Sequence, residues 1–447
     1  MHCFYKSLIH HYQHILILIT MIDKFGIEYS EDGTTLKRCP KDFKGTFQIP
    51  NSVTSIEISA FEGCTRLTSI EIPNSVTSIE YGAFKGCTSL TSIKIPNSVT
   101  IIGYRVFSGC TGLTSIMIDT ENSSFCFVDG ILFNKDLTAI FCFPAGRQEQ
   151  TYKIPDSVTS IESSAFEGCT GLTSIEIPNS VTSIERGAFS GCTGLTSIEI
   201  PNSVTSIEDF AFSGCTNLTS IQIPNSVTSI EWGTFEGCTG LTSIEIPNSV
   251  IRLELYSFKG CRALRSISIP ATVVEIDKYF VSNVGPQLEI NVAEDNPNYC
   301  SKDGSLYTKD MSQLIHHCEH NLQTCVLPEG IVRIAPLAFE WTHIAQITLP
   351  ESLKEIANDA FCRSENTKLH IPSSIQKIGN MAFKNSAMTE LHIHSEHPEQ
   401  IEVAENAFED CAEHCTLYVP IGTDYAYRHH PVFGKFREVV TERVSSI

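Results

Sequence analysis

Cysteine is the residue whose type and spacing in this chain most suggest chemistry. Of the 18 cysteines, eight occupy one position of a repeated phrase, in two runs. They are Cys64, Cys87, Cys110, Cys169, Cys192, Cys215, Cys238 and Cys261. A zinc site requires ligand pairs of the CxxC kind, whereas this spacing supplies one thiol per repeat, and stacked thiols are badly aimed for disulfides. We predict a structural ladder in which each buried thiol packs as a small hydrophobe with a weak S–H donor.

Histidines form two patches. The run His316-His317-Cys318, with His320 nearby, alternates between the two faces of a strand and cannot all bind one ion. The second patch consists of His370, His392, His394 and His397. Its spacing allows two of these rings to stack on adjacent rungs, and it leaves open a pH-responsive or adventitious metal patch. We predict no dedicated metal site.

Catalytic motifs are missing from the sequence. It contains no GxSxG elbow, no HExxH pair and no GxxxxGK[ST] loop. Serine and glutamate are abundant, but they recur at repeat positions, which reflects copying and not a nucleophile assembled with its base. The nearest non-repeated cluster is Cys411, His414 and Cys415, which we interpret as a hydrophobe, a surface histidine and a strand residue. We predict no catalytic residue, no cofactor and no enzymatic activity.

Composition restricts the partners. The 447 residues contain 31 Lys+Arg and 51 Asp+Glu, a formal charge of −20. A phosphate backbone is bound chiefly by releasing its counterions to clustered Lys and Arg, and the longest basic run is Lys37-Arg38. We therefore predict no nucleic acid partner, and anionic lipid headgroups are disfavoured for the same reason.

An Ile-Pro dipeptide marks a repeat that dominates the chain. It recurs with period 23 from Ile49-Pro50 to Ile95-Pro96, and again from Ile154-Pro155 to Ile269-Pro270. Copies with period 22 follow from residue 327, and Val419-Pro420 closes the series. Repeats of this length predict a solenoid, in which stacked neighbours bury a core that no single unit can close.

Within one repeat, two short apolar segments are separated by a turn. The segment 67–72 has the LxxLxL pattern of a leucine-rich repeat strand, and period-two alternation turns Ile70 and Ile72 inward and Glu71 outward. A turn at 73–75 precedes a second apolar alternation at 76–79. These patterns predict a mainly β repeat solenoid of leucine-rich repeat coils, each of about 22–23 residues.

A hairpin element occurs three times, at residues 26–32, 130–136 and 304–310. Each copy is followed by a second apolar strand, so we predict β-hairpins that turn at the Asp and are inserted between coils, the first covering the start of the stack. The predicted organisation is 1–22 non-globular or wrongly assigned, 23–48 N-terminal hairpin cap, 49–117 leucine-rich repeats, 118–153 β-hairpin insert, 154–290 leucine-rich repeats, 291–326 β-hairpin insert, 327–418 diverged leucine-rich repeats and 419–447 C-terminal cap.

The unit LxxLxLPxxLxxIxxxAFxxC, as in Leu172 to Cys192, resembles the BspA-like leucine-rich repeat proteins, also called the treponemal type. The hairpin with Asp129-Gly130 and the ending from Cys415 to Phe436 are similar to the family as well. The resemblance spans about residues 26–440. It implies a non-enzymatic, bacterial surface or secreted protein that adheres to host matrix proteins or other cells.

The amino terminus departs from that family. Residues 1–22 have a short apolar run, few positive charges and no small-x-small cleavage site, so they make a poor signal peptide and are too short to span a bilayer. We expect Met21 to be the true start. Cell-surface or secreted location therefore rests on the resemblance, and an intracellular protein-interaction scaffold in the cytoplasm is the alternative.

The exposed residue just before each Ile-Pro predicts the binding face, because a solenoid presents one such side chain per coil. In order these residues are Gln48, Glu71, Lys94, Met117, Lys153, Glu176, Glu199, Gln222, Glu245, Ser268, Glu289, Val326, Thr348, His370, His392 and Tyr418. Our candidate binding face is Glu71, Lys94, Met117, Glu176, Glu199, Gln222 and Glu245, with a protein ligand as the expected partner. The alternative is that Glu and Ser only keep this face solvated. Calcium at the glutamates would need six to eight oxygen ligands, which the sequence does not assemble.

Overall fold

The computed structural model describes residues 20–285, 287–318 and 324–443. Residues 1–19 of the predicted N-terminal segment and His320 lie outside this range. The chain forms two compact units, Met1–Leu195 and Thr196–Ile447. Each is a mainly β stack of coils with inserted hairpins, as the repeat predicted.

In its described residues, the first unit contains short strands throughout. They are β1 (Met21–Ile22), β2 (Glu28–Tyr29), β3 (Thr35–Arg38), β4 (Lys44–Gln48), β5 (Ser55–Ile56), β6 (Arg66–Glu71), β7 (Ser78–Ile79), β8 (Ser92–Ile95), β9 (Ile101–Ile102), β10 (Ser115–Ile118), β11 (Phe125–Val128), β12 (Ile131–Asn134), β13 (Ala139–Cys142), β14 (Thr151–Lys153), β15 (Ser160–Ile161), β16 (Ser174–Glu176) and β17 (Ser183–Ile184).

Two sides of each coil of the first unit are parallel ladders. The LxxLxL strands form one sheet in the order β10-β8-β6-β4, with β14 and β16 paired further along. The second apolar segments form another, in which β3, β5, β7 and β9 are parallel neighbours. Between the two, Pro50 O accepts a hydrogen bond from Val53 N (3.0 Å), which closes the turn after the Ile-Pro.

The second unit contains the remaining described strands and the α-helix. The strands are β18 (Ser206–Ile207), β19 (Ser229–Ile230), β20 (Ser243–Glu245), β21 (Arg252–Leu253), β22 (Ser266–Ile269), β23 (Glu275–Ile276), β24 (Glu289–Val292), β25 (Tyr299–Lys302), β26 (Ser305–Thr308), β27 (Gln313–His316), β28 (Thr324–Val326), β29 (Arg333–Ile334), β30 (Gln346–Thr348), β31 (Glu355–Ile356), β32 (Lys368–Ile371), β33 (Lys377–Ile378), β34 (Glu390–Ile393), β35 (Glu402–Val403), β36 (Thr416–Pro420) and β37 (Glu438–Glu442). The helix α1 is Asp424–His429, and short 3₁₀ turns lie at Pro398–Gln400 and Phe433–Lys435.

The second unit repeats the two-ladder plan. The LxxLxL strands pair in the orders β20-β22-β24 and β28-β30-β32-β34-β36-β37, and the second segments in the orders β19-β21-β23 and β27-β29-β31-β33-β35. The last strand, β37, is added in parallel to β36. Tyr427 of α1 is fully buried, and its hydroxyl donates to Ser395 O (2.9 Å), which ties the closing segment to the coils.

Phenylalanine and cysteine fill the third side of each coil. Phe61 and Phe84 are fully buried and stack with ring centroids 5.1 Å apart. The backbone also bonds from coil to coil here, since Phe61 N donates to Ala83 O (2.7 Å). Because the rings are identical, each coil buries its apolar area by the same packing arrangement as its neighbours.

Each internal insert has one strand more than the predicted hairpin. β11, β12 and β13 form an antiparallel meander, and β13 then pairs in parallel with β15. β25, β26 and β27 repeat this arrangement before β29. Each insert therefore begins a new ladder of second segments, in which β13 or β27 pairs with the next coil, whereas β9 and β23 end the ladders before the inserts.

A buried asparagine closes the coil before each insert. Asn122 Nδ2 donates to Pro96 O (3.1 Å) and Val99 O (2.8 Å), and its Oδ1 accepts from Phe125 N (2.8 Å). Asn296 makes the equivalent bonds in the second unit. An amide has both donors and an acceptor, so one side chain satisfies the backbone groups that the missing next coil would have paired.

Candidate interaction surfaces

The strand face, defined as the exposed side chains of the LxxLxL strands, begins in the first unit with four residues in register. Gln48 lies opposite Glu71, Glu71 opposite Lys94, and Lys94 opposite Met117. All four are exposed, whereas Ile93 between them points into the core. Alternation along each strand therefore presents one side chain per coil to solvent.

Further along the first unit, Glu176 lies opposite Lys153, and their charged groups approach to 2.6 Å. In the second unit, Glu199 is bridged to Gln222, and Glu245 lies opposite Ser268. All seven residues of the candidate binding face are exposed. The strand face thus carries both positive and negative charges, because Lys94 lies opposite Glu71 and Lys153 lies opposite Glu176.

One member of the predicted row is wrong. Ser268 lies opposite Asn291, and Glu289 lies opposite Ser266. The register places Val292-Ala293 where the preceding coil has Ile269-Pro270. This coil has no Ile-Pro dipeptide from which to locate the row, and Asn291 occupies the position that we predicted for Glu289.

In the carboxy-terminal coils the strand face becomes a column of stacked rings. His370, His392 and Tyr418 lie on successive strands. The ring centroids are 4.2 Å apart for the two histidines and 4.4 Å for His392 and Tyr418, with interplanar angles of 15° and 7°. The structure thus brings together the two histidines whose spacing suggested stacking.

His392 is buried in this column by the closing strand. Its side chain is 5% exposed, and its Nδ1 lies 2.6 Å from Glu442 Oε1 on β37. His370 Nδ1 lies 3.2 Å from His394 Nε2. Burial, followed by the neighbouring His392 and His394, lowers the pKa of His370 to about 4. His370 is therefore neutral at pH 7, and this part of the strand face presents stacked rings where the first unit presents Glu and Lys side chains.

The structure places the eight ladder cysteines in the core. Their thiols donate to the backbone of the preceding coil: Cys87 Sγ is 3.2 Å from Phe61 O, and Cys110 Sγ is 3.0 Å from Phe84 O. Burial raises the pKa of Cys261 to about 12. The Cys261 thiol is therefore protonated at neutral pH, and all eight ladder thiols are buried away from solvent.

The nearest arrangement to a nucleophile and base joins three residues around His317. Its Nδ1 lies 3.3 Å from Ser305 Oγ and 4.0 Å from Cys325 Sγ. Burial raises the pKa of Cys325 to about 12, so its thiol is protonated at neutral pH and is a poor nucleophile. At the predicted mixed cluster, Cys411 and Cys415 are buried and His414 is exposed. Across the described ranges, no three His, Cys, Asp or Glu side chains are grouped so that they could hold a metal ion.

Comparison with known proteins identifies the repeat. The family model described as BspA type leucine rich repeat region (6 copies) matches residues 42–141, 139–240, 182–301 and 312–427. The chain belongs to the BspA-type leucine-rich repeat family. No curated protein matches this BspA-type chain.

Solved structures of bacterial leucine-rich repeat proteins are similar to it. A leucine-rich cell surface protein of Faecalibacterium prausnitzii is 30% identical, over 57% of this chain and 61% of that protein, with a TM-score of 0.43. A leucine-rich repeat protein of Bacteroides ovatus is 25% identical, over 91% and 99%, with a TM-score of 0.42. The pneumococcal vaccine antigen PcpA is 19% identical, over 90% and 69%, with a TM-score of 0.38. The BspA-type chain thus spans 61% of the F. prausnitzii protein's length. Among the residues that the structure describes, no helix has the length and apolar character needed to cross a membrane.

Proposed function

We propose that this BspA-type protein acts by binding another protein through its strand face, at the cell surface or after secretion, and not by catalysis. One observation carries the proposal: successive coils hold exposed side chains of different chemistry in strict register, as at Glu71, Lys94 and Met117. The backbone beneath them is fixed on both sides by ladder hydrogen bonds. Binding to such a face requires little ordering of the backbone, which favours affinity.

The expected ligand is a protein of the host matrix or of another cell. A charged and apolar row several coils long suits a protein surface better than a small molecule, which needs a concave pocket with convergent polar groups. The F. prausnitzii protein of similar sequence is a cell surface protein, and this supports a surface location for the present chain.

An intracellular scaffold is the second candidate, favoured by the thiols. The ladder cysteines, for example Cys87 and Cys110, are buried thiols that bond to backbone oxygens. Thiols persist in reducing compartments, whereas secreted domains commonly oxidise theirs. Buried thiols resist oxidation in any compartment, so the surface protein is compatible with the same cysteines.

Binding is tested with charge-reversal variants of the strand face. The full chain is passed over immobilised collagen, fibronectin and laminin in a biosensor, and Glu71→Lys/Glu176→Lys is compared with Glu31→Lys/Glu121→Lys. All four glutamates are exposed in the first unit, so both pairs change the net charge equally and only the first pair alters the strand face. Melting temperature by circular dichroism establishes that both variants fold.

We expect the strand-face pair to weaken binding of a matrix protein at least tenfold and the control pair to change it less than twofold. Equal effects of the two pairs would show that net charge and not the strand face governs binding. Protease treatment of intact native cells, with mass spectrometry of the released peptides, decides the compartment: repeat peptides released without lysis support the surface location, and full protection supports the scaffold.

A further inference from the structure

The coils of the first unit also differ at the second residue after each second-segment strand. At this position the successive copies have Ile58, Tyr81, Tyr104, Ser163 and Arg186. The serine of the strand face, by contrast, recurs in nearly every copy. Because the core residues of the coil are almost the same each time, packing does not fix the residue here, and each coil presents a different side chain to solvent.

Three of these residues form an exposed row. β5, β7 and β9 pair in register at Ile56, Ile79 and Ile102, so the residues two positions later lie one above the other on successive coils. Ile58, Tyr81 and Tyr104 are 61%, 43% and 55% exposed. We call these three residues the aromatic ridge. At about 4.8 Å per coil it is about 10 Å long.

The backbone holds the two tyrosines on closely packed coils. Gly82 N donates to Tyr104 O (3.0 Å), which ties their coils together at the ridge. Gly103 stands where the two previous coils have Glu57 and Glu80, and a Cβ there would lie 2.5 Å from Tyr81 N. Glycine therefore lets the third coil approach the second and keeps both rings on one rigid surface.

Uncompensated negative charge lies beside the ridge. Glu57 and Glu80 directly precede Ile58 and Tyr81 and are half-buried, and neither has an ion-pair partner among the described residues. The nearby cations already have partners: Lys85 Nζ lies 2.7 Å from Glu62, and Arg105 lies 3.3 Å from Glu167 and also interacts with the Tyr81 side chain. The surface thus combines partly exposed aromatic rings with two carboxylates that have no ion-pair partner among the described residues.

We propose that the aromatic ridge is a docking surface for a basic protein segment, whose Lys or Arg side chains lie over Tyr81 and Tyr104 and pair with Glu57 and Glu80. Aromatic rings attract cations through their faces, and tyrosine is enriched among residues that dominate protein interfaces. The ridge follows the strands of the second segments, so it is a different surface from the strand face. The two binding proposals can therefore be tested independently.

The test uses a fluorescein-labelled peptide of twelve alternating lysines and leucines, measured by fluorescence anisotropy with the full chain. Its twin with glutamate in place of lysine is the negative probe. Tyr81→Ser/Tyr104→Ser removes both rings without altering charge, and Tyr425→Ser removes a tyrosine that is 72% exposed in the second unit. Tyr81→Phe/Tyr104→Phe retains the rings, and Tyr81→Leu/Tyr104→Leu retains apolar area should the serine pair fail to fold.

A second comparison isolates the carboxylates. Glu57→Gln/Glu80→Gln and Glu71→Gln/Glu176→Gln both remove two negative charges, the first pair beside the ridge and the second from the strand face. Both pairs lie in the first unit and remove the same charge, but Glu176 is ion-paired with Lys153, whereas Glu57 and Glu80 have no such partner among the described residues.

We expect replacement of both tyrosines by serine or by leucine to weaken binding of the lysine peptide about fivefold or more, since each exposed cation–π contact is lost. The phenylalanine variant and Tyr425→Ser should bind the peptide as the unmodified protein does. Replacing Glu57 and Glu80 by glutamine should weaken binding several times more than replacing Glu71 and Glu176. Equal effects of the two glutamate pairs, or no effect of removing the rings, would overturn the proposal. Neither outcome decides the matrix-protein test, which uses immobilised matrix proteins as probes and does not alter the aromatic ridge.

Discussion

Lowering the pH from 7 to 5 should loosen the carboxy-terminal coils of the second unit and leave the first unit intact. The cause is His370, whose pKa is lowered to about 4 from the ordinary value of 6.5. The charged or titratable groups around it are Lys368, Glu390, His392, His394 and Glu442. Burial and the neighbouring cations outweigh the attraction of the carboxylates, so the fold prefers the neutral ring.

The sign follows from comparing the two states. Between pH 6.5 and pH 4 the unfolded chain binds more protons at His370 than the folded chain, so stability is complete above about 6.5 and falls as the pH drops towards 4. At pH 5 the loss is about 2 kcal/mol, or about 1 kcal/mol after allowing for solvent around a ring that is only partly buried. Burial lowers the pKa of His316 to about 4 as well, which adds a loss of the same sign.

Hydrogen exchange with mass spectrometry measures the loss of stability in each coil, after correction for the intrinsic pH dependence of exchange. The chain provides its own control, because residues 20–195 contain no histidine. We expect exchange at pH 5 to increase around β32 and β34 and to stay unchanged around β6 and β8. His370→Phe retains a flat ring on His392 but cannot be protonated, so it should reduce the acid effect, whereas the exposed His414→Phe should not. Equal loosening of both units, or an unchanged acid effect in His370→Phe, would refute the reasoning.

Three further predictions concern the coil stack. Deleting one whole repeat, Ile223–Glu245, should leave a cooperatively folded protein because nearest-neighbour coils are interchangeable, whereas deleting only its first half should unfold it by moving a strand out of register; circular dichroism melts compare the two. Phe84→Ala should cost about 3–5 kcal/mol in denaturant unfolding because it opens a cavity in a fully buried ring stack, and a similar cost for the 40% exposed Phe127→Ala would contradict this. Iodoacetamide at pH 8 should label the half-exposed Cys126 well before Cys261, whose pKa is raised to about 12 by burial; peptide mass spectrometry gives the order, and equal rates would count against a buried ladder.

Periodicity was enough to predict the solenoid, because one phrase repeated many times in register has few ways to bury its apolar residues. The alternation around Ile70 and Glu71 likewise predicted which strand residues would be exposed. Features without a repeat were harder. The additional strand of each insert, such as Phe125–Val128, has no counterpart in the repeated phrase, so periodicity did not predict it.

The carboxy-terminal column shows what sequence spacing cannot supply. The spacing of His370 and His392 suggested stacking, but burial of His392 depends on Glu442, which comes from the closing strand much later in the chain. The buried Asn122 and Asn296 were also missed. A signal exists, since each follows an acidic residue and precedes an insert, but their role depends on carbonyl groups of the preceding coil, such as those of Pro96 and Pro270.

Photo-crosslinking tests the central claim, recognition through the strand face, most directly. A benzoylphenylalanine is placed at Lys94 or at Gln222 on the strand face, or at Glu31 as a control, in the protein produced by its native cells. Irradiation in the presence of the cell's usual surroundings, followed by mass spectrometry, should yield a specific protein adduct at both strand-face sites and none at Glu31. No adduct at the strand-face sites, together with adducts at the control site, would contradict the account.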